Sequence, residues 1–258
     1  MTKLTHREYQ VIESKGTDFE SRRSQIAVES EVTLTVNGEV WLGFHCSPDK
    51  LEHLAAGFLY NESFLESADE ISTITVCKSL DGVDVWLNHT CERPVYWNRT
   101  SGCQGGASQR TGTGLQTKKH TETYTVTEIQ DQLKIFLTSL AQLGDFRNGV
   151  HSTILMDGLE VTSTSNDIGR HNTLDKIAGD CLIGKKLLLK PVLLTTGRIS
   201  SDMVLKADRM GVRLVISLHS ISSLAIESGA TLGLCLIGHA RSPKWGVYTH
   251  AEMIKGQK

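Results

Sequence analysis

The sequence has little net charge and no long apolar run. Its 27 lysine and arginine residues nearly balance 29 aspartate and glutamate residues, which gives a formal net charge of −2. A near-neutral chain lacks the basic surface with which proteins bind nucleic acid or anionic membranes. No apolar run approaches the length of a membrane span, and residues 1–10 lack the apolar centre of a secretory signal. The sequence therefore predicts a soluble, cytoplasmic protein with no nucleic-acid or membrane partner.

The sequence also lacks paired cysteines. Its six cysteines are scattered, and no two of them form a C-x-x-C pair. In a cytoplasmic protein this spacing argues against a disulfide framework and against a zinc-ribbon site. Zinc-dependent deaminases need a C-x-x-C pair after H-x-E, so that class of enzyme is disfavoured as well. No metal site is predicted.

The first 120 residues predict a small α+β part. Residues 32–44 alternate apolar and polar side chains around Asn37-Gly38, a pair typical of a tight hairpin turn. A second hairpin is predicted over residues 71–87. Between the two hairpins, Ser47 and Pro48 predict the start of a helix, because they combine a capping hydroxyl with a fixed φ.

Residues 121–258 predict a larger part in which strands and helices alternate. A capping-box pattern at Thr127 and Gln130 predicts the start of the first helix. Later strands are predicted at residues 152–156, 161–165, 191–196, 212–218 and 234–238, and later helices at residues 170–182, 200–210 and 222–231. This alternation is typical of a layered α/β domain.

Polar segments with similar composition follow four of the predicted strands. They comprise residues 166–171, 195–201, 219–223 and 239–244. Open α/β sheets bind ligands at the carboxyl ends of their strands, and helix N-termini suit phosphate groups. Arg170, Arg198, Arg241 and Lys244 add cationic donors for the same groups. The segments together predict a site for a ligand with several phosphates, although each of the first three alone is also an ordinary capped helix start.

Two histidines lie beside these segments. His151 precedes a strand and is either a buried histidine or an active-site acid. His171 lies at a helix start next to Arg170, where the positive end of the helix should lower its proton affinity. A neutral His171 would act as a hydrogen-bond donor or a base.

Cys103 lies in a glycine- and polar-rich stretch, residues 98–120. Structural cysteines usually have apolar neighbours, and long loops in compact proteins are usually functional or disordered. A reactive thiolate would need a lowered pKa from a nearby cation such as Arg99 or Arg110. Cys103 is therefore either a nucleophile that accepts and delivers sulfur or a surface thiol without a role.

An ordered set of motifs extends over nearly the whole chain. It comprises DKLEHLAAGF at 49–58, RTSGCQGGAS at 99–108, GVHS at 149–152, DIGRHNTLDK at 167–176, TGRISSDMVLK at 196–206, SSLA at 222–225 and VYTH at 247–250. With these motifs, the chain resembles the formate dehydrogenase accessory sulfurtransferases, the FdhD family. The resemblance implies a cytidine deaminase-like layered α/β domain over residues 121–258, joined to a smaller α+β part over residues 1–120.

The resemblance also implies an enzymatic function. Members of the family are sulfurtransferases that pass sulfur from a cysteine desulfurase to molybdenum (or tungsten) bis(molybdopterin guanine dinucleotide), the cofactor of formate dehydrogenase. The cofactor is bound as cargo, the protein is expected to be a homodimer, and the family's persulfide-carrying cysteine falls on Cys103. Gly106 stands where some members have a second cysteine, so a single-cysteine relay is expected. The alternative function is a cofactor-binding chaperone that transfers no sulfur.

The resemblance locates the cofactor-binding stretch as well. It falls on His239, Ala240, Arg241, Ser242, Pro243 and Lys244. Earlier segments add Arg198, Ser200, Arg170, His171, His151 and Ser222 to the predicted cofactor-binding set. The phosphates of a bis-pterin dinucleotide agree with the anion site that the polar segments predict.

Overall fold

The structure is a computed structural model that describes residues 5–94, 98–99, 107–108, 122–144, 148–241 and 244–256. Its helices are α1 (Leu51–Asn61), α2 (Val126–Gln142), α3 (Arg170–Ile183), α4 (Ser201–Arg209) and α5 (Ser223–Leu232), with short 3-10 helices at Ala68–Glu70 and Ala251–Met253. The first eight strands are β1 (His6–Lys15), β2 (Asp18–Ala27), β3 (Ser30–Val36), β4 (Glu39–Cys46), β5 (Ile71–Val76), β6 (Gly82–Leu87), β7 (Asn98–Arg99) and β8 (Ala107–Ser108). The others are β9 (Tyr124–Thr125), β10 (His151–Asp157), β11 (Glu160–Asp167), β12 (Pro191–Thr195), β13 (Leu214–Ser217), β14 (Cys235–Gly238), β15 (Gly246–Thr249) and β16 (Ile254–Lys255).

A six-stranded sheet forms the centre of the larger part. Its strand order is β11-β10-β12-β13-β14-β15. Strands β12, β13 and β14 are parallel, whereas β10 runs antiparallel to both of its neighbours, β11 and β12. Strand β11 therefore runs in the same direction as β12, β13 and β14. The carboxyl ends of these four strands lie at one edge of the sheet.

Helices cover both faces of this sheet. On one face, Ile129 and Phe136 of α2 pack against inward-facing strand residues such as Ile154 and Val192. On the other face, α3, α4 and α5 pack against the alternate strand residues, for example Leu193. Both faces are apolar because parallel strands buried between helix layers need apolar side chains on each side. The result is a layered α/β arrangement.

A four-stranded sheet and α1 form the smaller part. Its strand order is β4-β3-β6-β5. The hairpin of β3 and β4 turns at Asn37 and Gly38, both of which have positive φ, as a tight hairpin turn requires. Leu54 and Phe58 of α1 pack on the apolar face of the sheet together with Val32. This part has a hydrophobic core of its own.

The two parts meet where α1 crosses α3. A Cβ atom built on Gly57 would lie 1.8 Å from the carbonyl oxygen of Asp175, and one on Gly179 would lie 1.9 Å from the carbonyl oxygen of His53. Only glycine at both positions allows the two backbones to approach this closely. The crossing fixes α3 of the larger part directly against the smaller part.

Strands β1 and β2 form a long hairpin, which we call the arm. The two strands pair over ten residues each without a shift in register, and most of their side chains are exposed. The exposed side chains include four large apolar ones, those of Tyr9, Ile12, Phe19 and Ile26. The sequence analysis did not predict the arm.

The predicted α/β class and most predicted elements are confirmed. Both predicted hairpins of the smaller part form, as do the alternating strands and helices after residue 150. A domain division after residue 120 and the deaminase-like arrangement stay predictions. Within the described ranges, none of the helices is long and apolar enough to cross a membrane.

Two predicted helix starts are wrong. Helix α1 begins after Lys50, which has a φ of 50°, and not at Ser47 and Pro48. The backbone N–H of Ser47 instead donates to Asp167 at 3.1 Å, so a contact with the larger part decides its position. The capping box of α2 uses Thr125 and Glu128, because strand β9 ends at Thr125.

Candidate functional site

Four connections of the larger part meet at one edge of its sheet, which we call the cationic rim. The rim comprises residues 167–171, 195–201, 217–223 and 238–241, together with His151. The first three segments follow β11, β12 and β13 and lead into α3, α4 and α5, whereas residues 238–241 follow β14. His151 lies there because β10 runs in the opposite direction. The topology therefore places the polar segments that the sequence singled out beside one another.

Backbone hydrogen bonds hold the second and third segments together. The N–H of Ile199 donates to the carbonyl of Ser220 at 3.1 Å, and the N–H of Ser222 donates to the carbonyl of Ile199 at 3.0 Å. Arg198 precedes this pairing and its side chain is exposed. The side chain of Ser222 accepts from the N–H of Ala225 at 3.3 Å, so its oxygen caps α5.

The third segment also holds the fourth. The N–H of His239 donates to the carbonyl of His219 at 2.9 Å, and the N–H of Ala240 donates to that of Ser217 at 3.0 Å. His239 has a φ of 56°, a left-handed conformation that turns the chain sharply after β14. Ala240 is buried beneath this turn. Arg241 follows with an exposed side chain.

His171 connects the first two segments. Its Nε2 atom lies 3.1 Å from the hydroxyl of Ser200 and 4.0 Å from a carboxylate oxygen of Asp202. Ser200 directly precedes α4, but its hydroxyl faces His171 and does not cap the helix. Burial lowers the pKa of His171 well below its usual value, and the charges of Arg170 and Lys206 lower it further. His171 is therefore neutral at pH 7.

Positive charges concentrate along the rim. Burial, followed by the charges of Arg170, His219 and Arg198, lowers the pKa of His151. The pKa of His219 is also lowered, by burial and then by Arg241, His239 and Arg198. A Cβ atom on Gly197 would lie 3.0 Å from the Cβ atom of Arg170, which places that buried arginine against the second segment. These mutual effects indicate a local field that favours anions.

Three helix N-termini add to this field. Helices α3, α4 and α5 begin at the rim, and each is at least nine residues long. Their first turns present backbone N–H groups and a partial positive charge. The arrangement can therefore bind an extended polyanion through arginine side chains and backbone amides together.

The structure brings most of the predicted cofactor-binding residues to the rim. His151, Arg170, His171, Arg198, Ser200, Ser222, His239, Ala240 and Arg241 lie there. Lys244 is exposed just before β15, which pairs with β14. Three predicted residues, Cys103, Ser242 and Pro243, lie outside the described residues. Of the nine at the rim, Ala240 and Ser222 have structural roles in the present geometry, as buried packing and as a helix cap.

Sequence analysis missed two buried lysines. Lys176 pairs with Asp49 and Asp167 at 2.7 Å each. Lys206 pairs with both oxygens of Asp175 at 2.7 Å. Both lysines are almost fully buried, and each lies on a helix among apolar neighbours. A lysine on the apolar face of a helix was the available signal, because a buried charge needs a partner.

Four of the five cysteines that the structure describes have little nucleophilic character. Burial raises the pKa of Cys46 and Cys235 to about 12 and that of Cys181 to about 11. Burial also raises the pKa of Cys91. Since the thiolate is the reactive form, these thiols stay protonated and inert at neutral pH.

A cleft of about 590 Å³ opens beside the rim. It lies between the base of the arm, the end of β4 and the chain just before Arg170, and Ile26, His45 and Gly169 contribute to its walls. Among all the residues that the structure describes, no group of three or more histidine, cysteine or acidic side chains is arranged to hold a metal ion.

Comparisons with known proteins agree on one family. The sequence profile of the FdhD/NarQ family matches residues 27–255. The chain is 33% identical to the sulfur carrier protein FdhD of Bacillus licheniformis over 240 residues, and 32% identical to that of Bacillus subtilis over 239 residues. These matches cover 91% and 90% of both chains, respectively.

A solved structure shows the same fold. It is the crystal structure of a putative formate dehydrogenase accessory protein from Desulfotalea psychrophila, which superposes with a TM-score of 0.80 at 24% identity. The superposition covers 97% of this chain and 100% of the other. With the profile match over residues 27–255 and relatives at this level of identity, the chain belongs to the FdhD/NarQ family.

Proposed function

We propose that this protein is a sulfur carrier that acts as a sulfurtransferase for the pterin cofactor of formate dehydrogenase. Its relatives in two Bacillus species are named sulfur carrier protein FdhD. The structural neighbour is described as a formate dehydrogenase accessory protein. The observation that carries the proposal is the cationic rim, because a protein that handles a dinucleotide cofactor must bind its phosphates.

The proposed cargo is molybdenum (or tungsten) bis(molybdopterin guanine dinucleotide). Each dinucleotide half of this molecule carries a diphosphate, which needs cationic or N–H donors in a site partly closed to water. Arg198 and Arg241 supply exposed guanidinium groups, and Arg170 supplies a buried one. Neutral His171 and Ser200 add uncharged donors between the first two segments.

We assign the sulfur-carrying role to Cys103, on the family resemblance. In the first step, the Cys103 thiolate attacks the terminal sulfur of a persulfide on the cysteine desulfurase. A new S–S bond forms on Cys103, the donor's S–S bond breaks, and the donor leaves as a thiolate. In the second step, two external thiols reduce the persulfide and become a disulfide. The S–S bond on Cys103 breaks, and the terminal sulfur would pass to the metal of the cofactor as sulfide in exchange for an oxygen ligand that leaves as water. Cys103 returns to the thiolate form, so atoms and electrons balance.

A sulfur-loading experiment tests this assignment. The protein is incubated with a cysteine desulfurase, cysteine and pyridoxal phosphate, and peptides are then analysed by mass spectrometry under non-reducing conditions. We expect the mass of one additional sulfur atom on the peptide that contains Cys103. Loading on another cysteine, or no loading, contradicts the assignment.

Replacing the thiol separates sulfur transfer from cofactor binding. We expect Cys103→Ala to abolish activation of formate dehydrogenase in a strain that lacks the native protein, while guanosine diphosphate still binds at the rim. Cys77→Ala is the matched control, because Cys77 is a half-buried thiol at the end of β5 that should leave activation unchanged. Full activation by Cys103→Ala would favour the chaperone function, in which the protein only holds the cofactor.

We further propose that the protein is a cytoplasmic homodimer that meets both a cysteine desulfurase and formate dehydrogenase. Exposed apolar side chains on the arm support self-association, since Tyr9, Ile12 and Phe19 are each at least half exposed. The edges of the arm are long and regular, and such edges readily pair with another chain.

A further inference from the structure

The carboxylate of Asp167 organises the first segment of the cationic rim. One of its oxygens accepts the backbone N–H of Gly169 and the side-chain amide of Asn172, both at 2.8 Å. The same amide also donates to the carbonyl of His45 at 2.8 Å. Arg170 and His171 lie between Gly169 and Asn172. The fully buried carboxylate thus fixes the chain on both sides of these two rim residues.

The other oxygen of Asp167 connects this segment to the smaller part. It accepts the N–H of Ser47 at 3.1 Å and lies 2.7 Å from the ammonium group of Lys176. That ammonium group also contacts Asp49 at 2.7 Å and the carbonyl of Ser47 at 3.0 Å. Ser47 and Asp49 belong to the connection between β4 and α1. Next to them, the ammonium group of Lys50 donates to the carbonyl of Thr164 at 2.7 Å.

These contacts carry an inference that rests on the proposed function. We propose that Asp49, Lys176 and Asp167 are positioning residues that hold Arg170 and His171 in the geometry that binds the diphosphate of the cofactor. Lys176 and Asp167 are buried and act through the backbone of the first segment, without contact with the ligand, and Asp49 acts through Lys176. Asp49, contributed by the smaller part, accepts one of the N–H groups of Lys176, so that part helps to shape the binding site of the larger one.

The three N–H donors of Lys176 explain why the group needs all three members. A buried lysine with a single carboxylate partner would leave some of its donors unsatisfied, and a buried carboxylate without its lysine carries an uncompensated charge. Lys176 meets two carboxylates and one carbonyl, which satisfies its three N–H donors. Asp49 is the most accessible member, with a side chain that is 30% exposed. It can be changed with the least risk to folding.

The test compares Asp49→Asn, Lys176→Met and the wild-type protein as full-length chains. Guanosine diphosphate is the probe, and its dissociation constant is measured by calorimetry. We expect Asp49→Asn to weaken binding by at least roughly threefold and Lys176→Met to weaken it more. Changes of this size are typical of residues that affect a ligand without touching it. Arg213→Met is the control, because it breaks a 2.7 Å ion pair with Asp208 at the opposite edge of the sheet. The control should bind like the wild type.

The pKa of His171, measured by NMR titration, is a second readout. It should stay unchanged if Asp49 only stabilises the fold. Removing the negative charge of Asp49 acts through space to lower the pKa of a histidine. Loosening of the first segment admits water to His171, which relieves the effect of burial and raises its pKa towards the usual value. The two causes have opposite signs. We therefore expect the pKa of His171 to rise in Asp49→Asn and to stay unchanged in Arg213→Met.

The outcomes separate this proposal from the function on which it rests. Weaker binding together with a raised His171 pKa in Asp49→Asn supports positioning, and this variant suffices should Lys176→Met fail to fold. If the pKa of His171 in Asp49→Asn is equal to or lower than that of the wild type, the positioning role is wrong, whatever the binding result. A wild-type protein that does not bind guanosine diphosphate contradicts the proposed ligand, and the His171 titration then decides on positioning alone.

Discussion

Arg198 and Arg241 of the rim combine a permanent positive charge with a side chain that is exposed to solvent. Arg170 is buried, and His151 and His219 have lowered pKa values that keep them neutral at pH 7. The two exposed arginines therefore carry the permanent charge that an incoming anion meets first. An arginine can bind a phosphate through two parallel hydrogen bonds, which a neutral histidine cannot do.

We expect Arg198→Ala and Arg241→Ala each to weaken guanosine diphosphate binding by about fivefold to tenfold. Loss of one charge-assisted hydrogen bond at an exposed site costs about 1 kcal/mol, and about 1.4 kcal/mol corresponds to tenfold. Calorimetry in low salt measures the change, which should shrink at high salt because exposed charges are screened.

Lys134→Ala is the matched control for these arginines. Lys134 lies exposed on α2, away from the rim, and its removal changes the net charge by the same amount. Equal losses of affinity in all three variants would show a general charge effect and contradict a specific role for Arg198 and Arg241.

At the scale of elements, α1 and α3 cross with their backbones in close contact, because each helix has a glycine at the crossing. Gly57 and Gly179 face the opposite helix with no room for a side chain. Just beyond the crossing, the side-chain amide of Asn61 donates to the carboxylate of Asp175 at 2.7 Å, and Lys206 pairs with the same carboxylate. Apolar packing, close backbone contact and buried polar pairs all fix the same two helices.

We expect Gly57→Ala to lower the free energy of unfolding by at least about 2 kcal/mol, because the new methyl group overpacks a backbone contact that cannot relax. Urea denaturation followed by circular dichroism measures the loss. Gly256→Ala is the control, since no atom lies within 4 Å of a Cβ built there, and it should unfold like the wild type. A Gly57→Ala variant as stable as this control would mean that the helices separate at little cost.

Sequence patterns predicted the elements whose signals are local. Asn37-Gly38 determined a hairpin because positive φ at both positions is a property of the turn itself. The start of α1 was wrong because Ser47 has an ordinary capping sequence but a distant partner, Asp167. The arm was missed because its strands mix polar and apolar residues on both faces and show no alternation.

The same contrast between local sequence signals and distant contacts applies to the candidate site. Arg170, Arg198 and Arg241 could be predicted because each lies in a polar segment after a strand, where sheet topology gathers such segments. The group of Asp49, Lys176 and Asp167 could not be predicted. Asp49 and Lys176 are 127 residues apart in the sequence, and no periodicity shows that they meet.

For the whole molecule, two histidines of the rim, the buried His171 and the half-buried His151, make stability depend on pH. Burial lowers the pKa of His171 and His151 in the folded state, whereas the unfolded chain has the usual value near 6.5. Below about pH 6.5 the unfolded chain therefore binds more protons than the folded one. Stability from these two histidines is present above that pH and is lost as the pH falls. His250 acts in the opposite direction. Burial lowers its pKa, but hydrogen bonds with Glu252 and with the carbonyl of Ala230 outweigh burial and raise the pKa overall.

We expect the free energy of unfolding to decrease as the pH falls from about 7.5 to about 5.5, with a slope of up to about 1.4 kcal/mol per pH unit for each fully affected histidine. Urea denaturation at several pH values measures the slope. His171→Gln should reduce the slope, because glutamine does not titrate. A slope in His171→Gln equal to that of the wild type would contradict a neutral, buried His171 at the rim.

Because the parallel strands place the cationic rim at their carboxyl ends, the opposite end of the larger sheet carries none of the rim segments. There the chain turns at Gly158, Gly211 and Gly233, each with positive φ, and no atom would obstruct a side chain at the first two. These hairpin and helix ends point away from every arginine assigned to the ligand. A fluorophore or an affinity tag attached next to Gly158 would report on the intact protein and leave the cationic rim accessible.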